Sequence, residues 1–314
     1  MKAYVLYSGG LDSVLAIKLI QEQNISVIAV HFTSPFFGNP EFCQKIAKEQ
    51  NFKLIIKKLG KKYFDIIRNP KYGYGSGFNP CLDCHLYLIK ETQKIARGDI
   101  IATGEVLSQR PFSQKLKDFQ VIEREAGLEG KILRPLSAKL LPETEYEKKE
   151  IIDRKKLLGI RGRSRRKQLA IAEEYNLRFS TPAGGCLLCE KEFAKKIKDL
   201  FLHRKRISDR DVELLKTGRH FRVGESKIIV GRNQKENGRI LKLKGRKDFI
   251  FEVEGIGPTT LLLGKKSKQA IELAAELTLF YSDEKKASVK YGKKLEKKIR
   301  VKLLKKEELE KFKL

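Results

Sequence analysis

Short apolar runs alternate with longer amphipathic stretches through the first hundred residues. The run AYVLY at 3–7 is short and rich in β-formers, so it predicts a strand. The stretch DSVLAIKLIQEQ at 12–23 repeats its apolar positions at helical spacing and predicts a helix. The same reading gives a strand over 26–32, a helix over 40–51 and a strand over 53–59. A helix over 87–97, a strand over 99–104 and a helix over 167–176 complete this half. Strands that alternate with helices build parallel βαβ units, so the expected fold class is α/β with a doubly wound, mostly parallel sheet.

The pattern changes after the turn-rich STPAGG at 180–185. From about residue 222, RVGESKIIVGR, RILKLKGRKDFIFEVEG and TTLLLG read as strands separated by glycine turns. A strong helix follows over 267–282, then late strands in KASVKYG and KKIRVKLL. This predicts a second, smaller α+β domain. The expected division is a first domain over 1–180, a cysteine-containing turn and basic connector over 181–221, and a second domain over 222–314. No internal repeat is present.

Charge sharpens the picture. The chain has 67 Lys and Arg against 39 Asp and Glu, a net charge of +28 over 314 residues. So large an excess points to a polyanionic partner, although Lys- and Glu-rich surfaces also mark proteins from hot environments. The excess is concentrated. IRGRSRRKQ at 160–168 is dense in arginine, and residues 191–314 hold 35 Lys and Arg against 18 Asp and Glu. In the last segment Tyr281 and Tyr291 are interleaved with lysines, a composition suited to stacking bases while cations hold phosphates. No secretory leader and no membrane-spanning stretch is expected, and five clustered cysteines do not make a disulfide framework. A cytoplasmic protein with reduced thiols, and no membrane partner, is the expectation.

Two motifs carry candidate chemistry. The first strand ends in Ser8-Gly9-Gly10-Leu11-Asp12-Ser13, with a helix starting at once. That is where an open α/β sheet binds phosphates. Walker A and GxGxxG patterns are both absent. In place of a lysine the turn carries Asp12, which suits Mg²⁺ and also serves as an ordinary acid at a helix N-terminus. The second motif is the CxxC of NPCLDCH at 79–85, with Cys186 and Cys189 about a hundred residues on in GGCLLC. Such a set can exchange disulfides, hold zinc with four ligands, or hold an iron–sulfur cluster. His85 reads as a helix-start residue.

The complete SGGLDS after a first strand resembles the pyrophosphate loop of the PP-loop ATPases. ATGEVLSQRPFSQ at 102–114 and RPLSAK at 134–139 are similar to blocks of the tRNA 4-thiouridine synthetases. The resemblance covers most of residues 1–180 and implies a short form without the N-terminal THUMP domain. It implies an ATP-dependent tRNA sulfurtransferase that cleaves ATP to AMP and pyrophosphate. Its cofactor residues would be Ser8, Gly9, Gly10, Leu11, Asp12 and Ser13, with His31 and Phe32 at the adenosine. Gly104, Glu105, Gln109 and Gln114 would line the crevice. Several tRNA thiolases hold a [4Fe–4S] cluster with a CxxC and one distant cysteine, which implies Cys81, Cys84 and Cys186 as ligands, with four-cysteine zinc, or a persulfide chemistry in which Cys186 pairs with Cys81 or Cys84, as the alternatives. VGRNQKENGRI at 230–240, the Gly-Pro at 257–258 and the final helix and tail resemble the NFACT-type RNA-binding domain. The partners implied are tRNA and a sulfur donor, either sulfide or a cysteine desulfurase system. The competing functions are a tRNA 2-thiouridylase, another AMP-forming enzyme, and an RNA-binding protein with a vestigial nucleotide site.

Overall fold

The computed structural model describes residues 1–180, 185–284 and 286–314. The chain divides into two compact units, Met1–Cys189 and Glu190–Leu314.

The first unit is a five-stranded sheet in the order β3-β2-β1-β4-β5. Its strands are β1 (Lys2–Leu6), β2 (Ser26–Thr33), β3 (Lys53–Lys58), β4 (Ile100–Thr103) and β5 (Ile132–Leu133). Every pairing is parallel. The helices are α1 (Leu11–Gln21), α2 (Pro40–Glu49), α3 (Lys62–Arg68), α4 (Cys81–Ala96), α5 (Leu116–Ala126), α6 (Glu145–Lys148) and α7 (Arg166–Glu174). Ala3 and Val5 of β1 are fully buried, as are Val14 and Ala16 of α1. That burial from both sides is why the central strands read as continuous apolar runs rather than alternating ones. The doubly wound α/β expectation holds.

One local expectation needs correcting. The CxxC lies in the first turn of a helix, not in a loop, because α4 begins at Cys81 rather than near residue 87. Pro80 precedes it with no N–H to lose, and Cys84 N donates to Pro80 O at 2.8 Å. Asp83 in that first turn suits a helix N-terminus and accepts the backbone N–H groups of Lys71 and Tyr72 at 2.9 and 3.0 Å.

The second unit holds a six-stranded antiparallel sheet in the order β11-β10-β8-β9-β7-β6. After α8 (Lys191–His203) and α9 (Asp209–Leu215) come β6 (Arg219–Val223), β7 (Ser226–Val230), α10 (Gln234–Leu243), β8 (Phe249–Val253) and β9 (Thr260–Leu263). Then follow α11 (Lys268–Phe280), β10 (Val289–Gly292), β11 (Lys297–Ile299) and α12 (Lys306–Glu310). The α+β expectation holds here too, with one exchange. RILKL at 239–243 reads as a strand but lies in α10, which Asn233 caps by accepting Glu236 N–H at 3.0 Å.

Asp199 of α8 organises the near side of this sheet. It accepts Arg222 Nε and Nη2 at 2.8 and 2.6 Å and Lys227 Nζ at 2.8 Å. Burial alone would raise its pKa, but those two cations hold it below the ordinary carboxylate range. Lys227 is 5 % exposed, and burial pushes its pKa down to about 8 despite the Asp199 charge. Asp199→Ala should therefore destabilise the unit by roughly 3–5 kcal/mol in denaturant unfolding, because the buried Lys227 and the partly buried Arg222 lose their counter-charge. In the unaltered protein, Lys227 releases its proton at a lower pH folded than unfolded. Its contribution to stability should rise as pH climbs from about 8 toward the ordinary lysine range. A flat profile there, measured by the same unfolding, would contradict this.

Candidate functional site

The chain leaves β1 with Tyr7 N donating to Val30 O at 2.9 Å, then turns at Gly9 with φ +80° into α1. A side chain at Gly9 would be strained there, and its Cβ would lie 2.9 Å from Cys43 Sγ. Gly10 is the N-cap residue and offers no side chain, so α1 starts without a side-chain cap. The turn holds itself together. Ser13 Oγ donates to Gly10 O at 2.8 Å, and the hydroxyls of Ser8 and Ser13 lie 3.3 Å apart. Both serines are thus engaged within the loop, and Leu11 is buried in the core. What this leaves for an anion is the positive end of an uncapped helix.

Asp12 stands in the first turn of α1. Gln109 Nε2 donates to its Oδ2 at 2.6 Å and Gln168 Nε2 to its Oδ1 at 3.5 Å. Gln168 also donates to Gln109 Oε1 at 3.0 Å and is fully buried, while its own carbonyl oxygen has no partner among the described residues. Sequence reading passed over Gln168 as part of a basic segment; the signal was an amide on the inward side of α7. The segment that brings Gln109 to Asp12 is pinned from RPLSAK. Ser137 Oγ accepts Leu107 N–H at 2.9 Å and donates to Ile160 O at 2.7 Å. Gln114 lies at the far end of this segment, its backbone carbonyl accepting Ser108 N–H at 2.6 Å. Arg161, Arg163, Arg166 and Lys167 are exposed on the neighbouring stretch.

Gly104 fixes the approach of β4 to α1. A Cβ built on it would lie 2.5 Å from Asp12 C and 2.6 Å from Ser13 N, so only glycine permits this backbone contact. His31 and Phe32 are both buried. His31 Nδ1 donates to Tyr7 O at 2.9 Å, and burial lowers its pKa.

The four cysteines other than Cys43 share one neighbourhood of the first unit. Two backbone hydrogen bonds bring them together. Leu187 N donates to Phe36 O at 3.0 Å, and Phe78 N donates to Leu188 O at 3.0 Å. A Cβ at Gly77 would lie 2.7 Å from Leu188 O, so this approach also needs glycine. Cys189 is hydrogen-bonded with both Cys81 and Cys186. Asn79 Nδ2 donates to Cys81 Sγ at 3.0 Å, and Tyr63 Oη lies 3.1 Å from Cys84 Sγ. The hydrogen bond to Cys189 and then burial raise the Cys81 pKa, while burial above all brings that of Cys84 to about 12. Beside them, His85 Nδ1 donates to Glu105 Oε1 at 2.6 Å. Burial disfavours charge on both, but the pair outweighs it. Glu105 is held at about 2, and the His85 pKa is raised.

Among the described residues no three His, Cys, Asp or Glu side chains stand as a ready set of metal ligands. The donor chemistry nevertheless fits a soft metal centre. Burial and neighbouring thiols disfavour the ionised forms of Cys81 and Cys84, and a bound cationic centre is what would reverse that preference. No described helix is long and apolar enough to cross a membrane.

Residues 1–171 match the family model described as thiamine biosynthesis protein (ThiI), and residues 218–313 match that of the NFACT protein RNA binding domain. Among solved structures, the chain is similar to a predicted tRNA methyltransferase subunit from Methanocaldococcus jannaschii. The identity is 17%, over 43% of this chain and 69% of that one, with a TM-score of 0.34. It is also similar to a 4-thiouridine synthetase solved with RNA and bound ATP. Here the identity is 23%, over 49% of this chain and 41% of that one, with a TM-score of 0.35. No curated protein matches the chain significantly.

The contact at Gly104 gives a direct check. Gly104→Ala should cost the first unit about 1–3 kcal/mol in denaturant unfolding, since the added methyl meets backbone that cannot move aside. Gly60→Ala, where a Cβ meets nothing within 4 Å, should change stability little. Equal effects at the two sites would refute the reading of Gly104.

Proposed function

The chain belongs to the thiamine biosynthesis protein (ThiI) family, and from that premise we propose that it is an ATP-dependent tRNA sulfurtransferase that forms 4-thiouridine. The observation that carries this is the placement of an uncapped, glycine-lined helix N-terminus and a group of four thiols at the same end of one parallel sheet. An enzyme that activates a base with ATP and then delivers sulfur to it needs both within reach of one substrate atom.

A uridine carbonyl oxygen is a poor leaving group. Its attack on the α-phosphate of ATP expels pyrophosphate and leaves the oxygen bonded to AMP. A sulfur nucleophile then adds to the ring carbon, and AMP departs with the original oxygen. The turn of Ser8, Gly9, Gly10, Leu11 and Ser13 would cradle the phosphates at the start of α1, with His31 and Phe32 backing it on the adenosine side. Asp12 would hold the Mg²⁺ of the nucleotide, and Gln109 and Gln168 orient its carboxylate. Gly104, Glu105 and Gln114 shape the crevice wall. Cys81, Cys84 and Cys186 would hold a [4Fe–4S] cluster, which when bound supplies the means of delivering sulfur. Cys189 stands next to two of them as a fourth thiol. The basic connector at 181–221 and the basic domain at 222–314 fit a module that holds tRNA, with the exposed arginines at 161–166 adding phosphate contacts.

Nucleotide chemistry tests the first half of this reading. The protein with ATP and unmodified tRNA should release AMP and pyrophosphate, and Asp12→Ala should abolish tRNA-dependent AMP release without unfolding the protein. Release of ADP and phosphate instead would rule the reaction out.

Metal content tests the second half. Anaerobically purified protein should be brown, with iron and sulfide at about four each per chain for a full cubane. Cys81→Ala, Cys84→Ala and Cys186→Ala should each lose colour and thiolation together, whereas Cys43→Ala keeps both. Stoichiometric zinc without iron would refute the cluster and favour the Cys₄ alternative.

A further inference from the structure

The end of β4 faces two ways. Gly104 rests its backbone against the Asp12–Ser13 peptide at the start of α1. The next residue, Glu105, is buried and points to the cysteine helix instead, accepting His85 Nδ1 at 2.6 Å. Its other oxygen is taken by Thr103 Oγ1 at 3.0 Å and Arg134 Nε at 3.2 Å. Arg134 is itself 3 % exposed, stacked over the Phe119 ring and paired with Glu123. Both carboxylate oxygens are therefore committed, one to the partly exposed His85 and the other to the buried Thr103 and Arg134. His85 follows Cys81 by one turn of α4, so the two share a helix face. Two adjacent residues thus join the turn after β1 to the helix that carries the CxxC, through a backbone contact on one side and the Glu105–His85 hydrogen bond on the other.

We propose that His85 is a positioning residue that, through Glu105, locks the cysteine helix to the nucleotide-binding turn, so that nucleotide occupancy sets the position of the thiols. This rests on the ATP reading above and goes beyond it. The link supplies a reason for an imidazole at this place: a ring on α4 can reach a carboxylate rooted in the neighbouring strand, and its Nδ1 is fully used in doing so. Without His85, α4 would still be held by Asp83 at the turn at 71–72 and by the apolar packing of Leu86 and Ile89 against Ile101 of β4, but it would lose its polar link to the residue next to Gly104. The helix would fold, with its first turns no longer tied to the strand end that meets Asp12.

Hydrogen exchange on the full chain, with and without an ATP analogue whose α,β linkage cannot be cleaved, tests this apart from catalysis. In the wild-type protein the analogue should slow exchange both in the turn at 8–14 and in the first turns of α4 at 81–88. In His85→Gln the protection of 8–14 should persist and that of 81–88 should be lost. Turnover gives the second readout: His85→Gln should release severalfold more AMP per thiolated base than wild type, whereas a merely structural defect lowers both products together. Protection confined to 8–14 in the wild-type protein overturns the proposal alone, and that arm decides the matter even if the variant fails to fold. Protection at 81–88 that survives in His85→Gln overturns it as well. Protection nowhere would overturn the nucleotide reading, and this inference with it.

Discussion

Two segments of backbone meet where β4 ends and α1 begins, and the site is built around that meeting. With no side chain at Gly104, the peptide after β4 can lie against the Asp12–Ser13 peptide. Asp12 and Gln109 come within 2.6 Å of each other as neighbours of this contact. A methyl group there would push the strand end and the helix start apart. The Asp12–Gln109–Gln168 cluster and the Glu105–His85 pair, which lie on either side, would then lose their common reference. The glycine is thus a constraint on distance rather than on turn geometry, and the surrounding polar network inherits its precision from it.

The thiols follow a similar logic with a different balance of forces. Gly77 lets the loop before α4 approach the Leu188 carbonyl, and backbone bonds from Leu187 and Phe78 fix the second cysteine pair against the first. The result crowds soft donors together and disfavours the ionised forms of Cys81 and Cys84. Asn79 supplies a hydrogen bond to one sulfur, and Tyr63 Oη stands at hydrogen-bond distance from another.

The parallel sheet was legible because buried strands and amphipathic helices alternate with different periods, and that contrast survives without any knowledge of contacts. The glycine turn was legible because its residues are contiguous. What sequence reading lost were features whose cause lies elsewhere in the chain. The first turn of α4 carries Cys, Asp and His, none a strong helix former, and it is helical because Asp83 is drawn to the backbone at 71–72. The strand-like RILKL became helix because a cap at Asn233 and inward packing of Ile240 outweighed its β-branched and apolar look. Gln168 sat inside a run of arginines, and nothing local marks it as the fully buried partner of Asp12. His85 was read as a helix-start residue, and its true partner is twenty positions away in sequence.

The contacts that gather the thiols also impose an order of events in time. Cys81 and Cys84 leave the ribosome long before Cys186 and Cys189, separated by roughly a hundred residues of chain, so their meeting is a late, non-local step. Until the segment at 187–188 has found Phe36 and Phe78, the earlier pair stands with no partners to complete it. An emerging chain therefore presents a half-built, reactive pair of sulfurs to its surroundings. The interval before that meeting is when these two sulfurs are most open to oxidation.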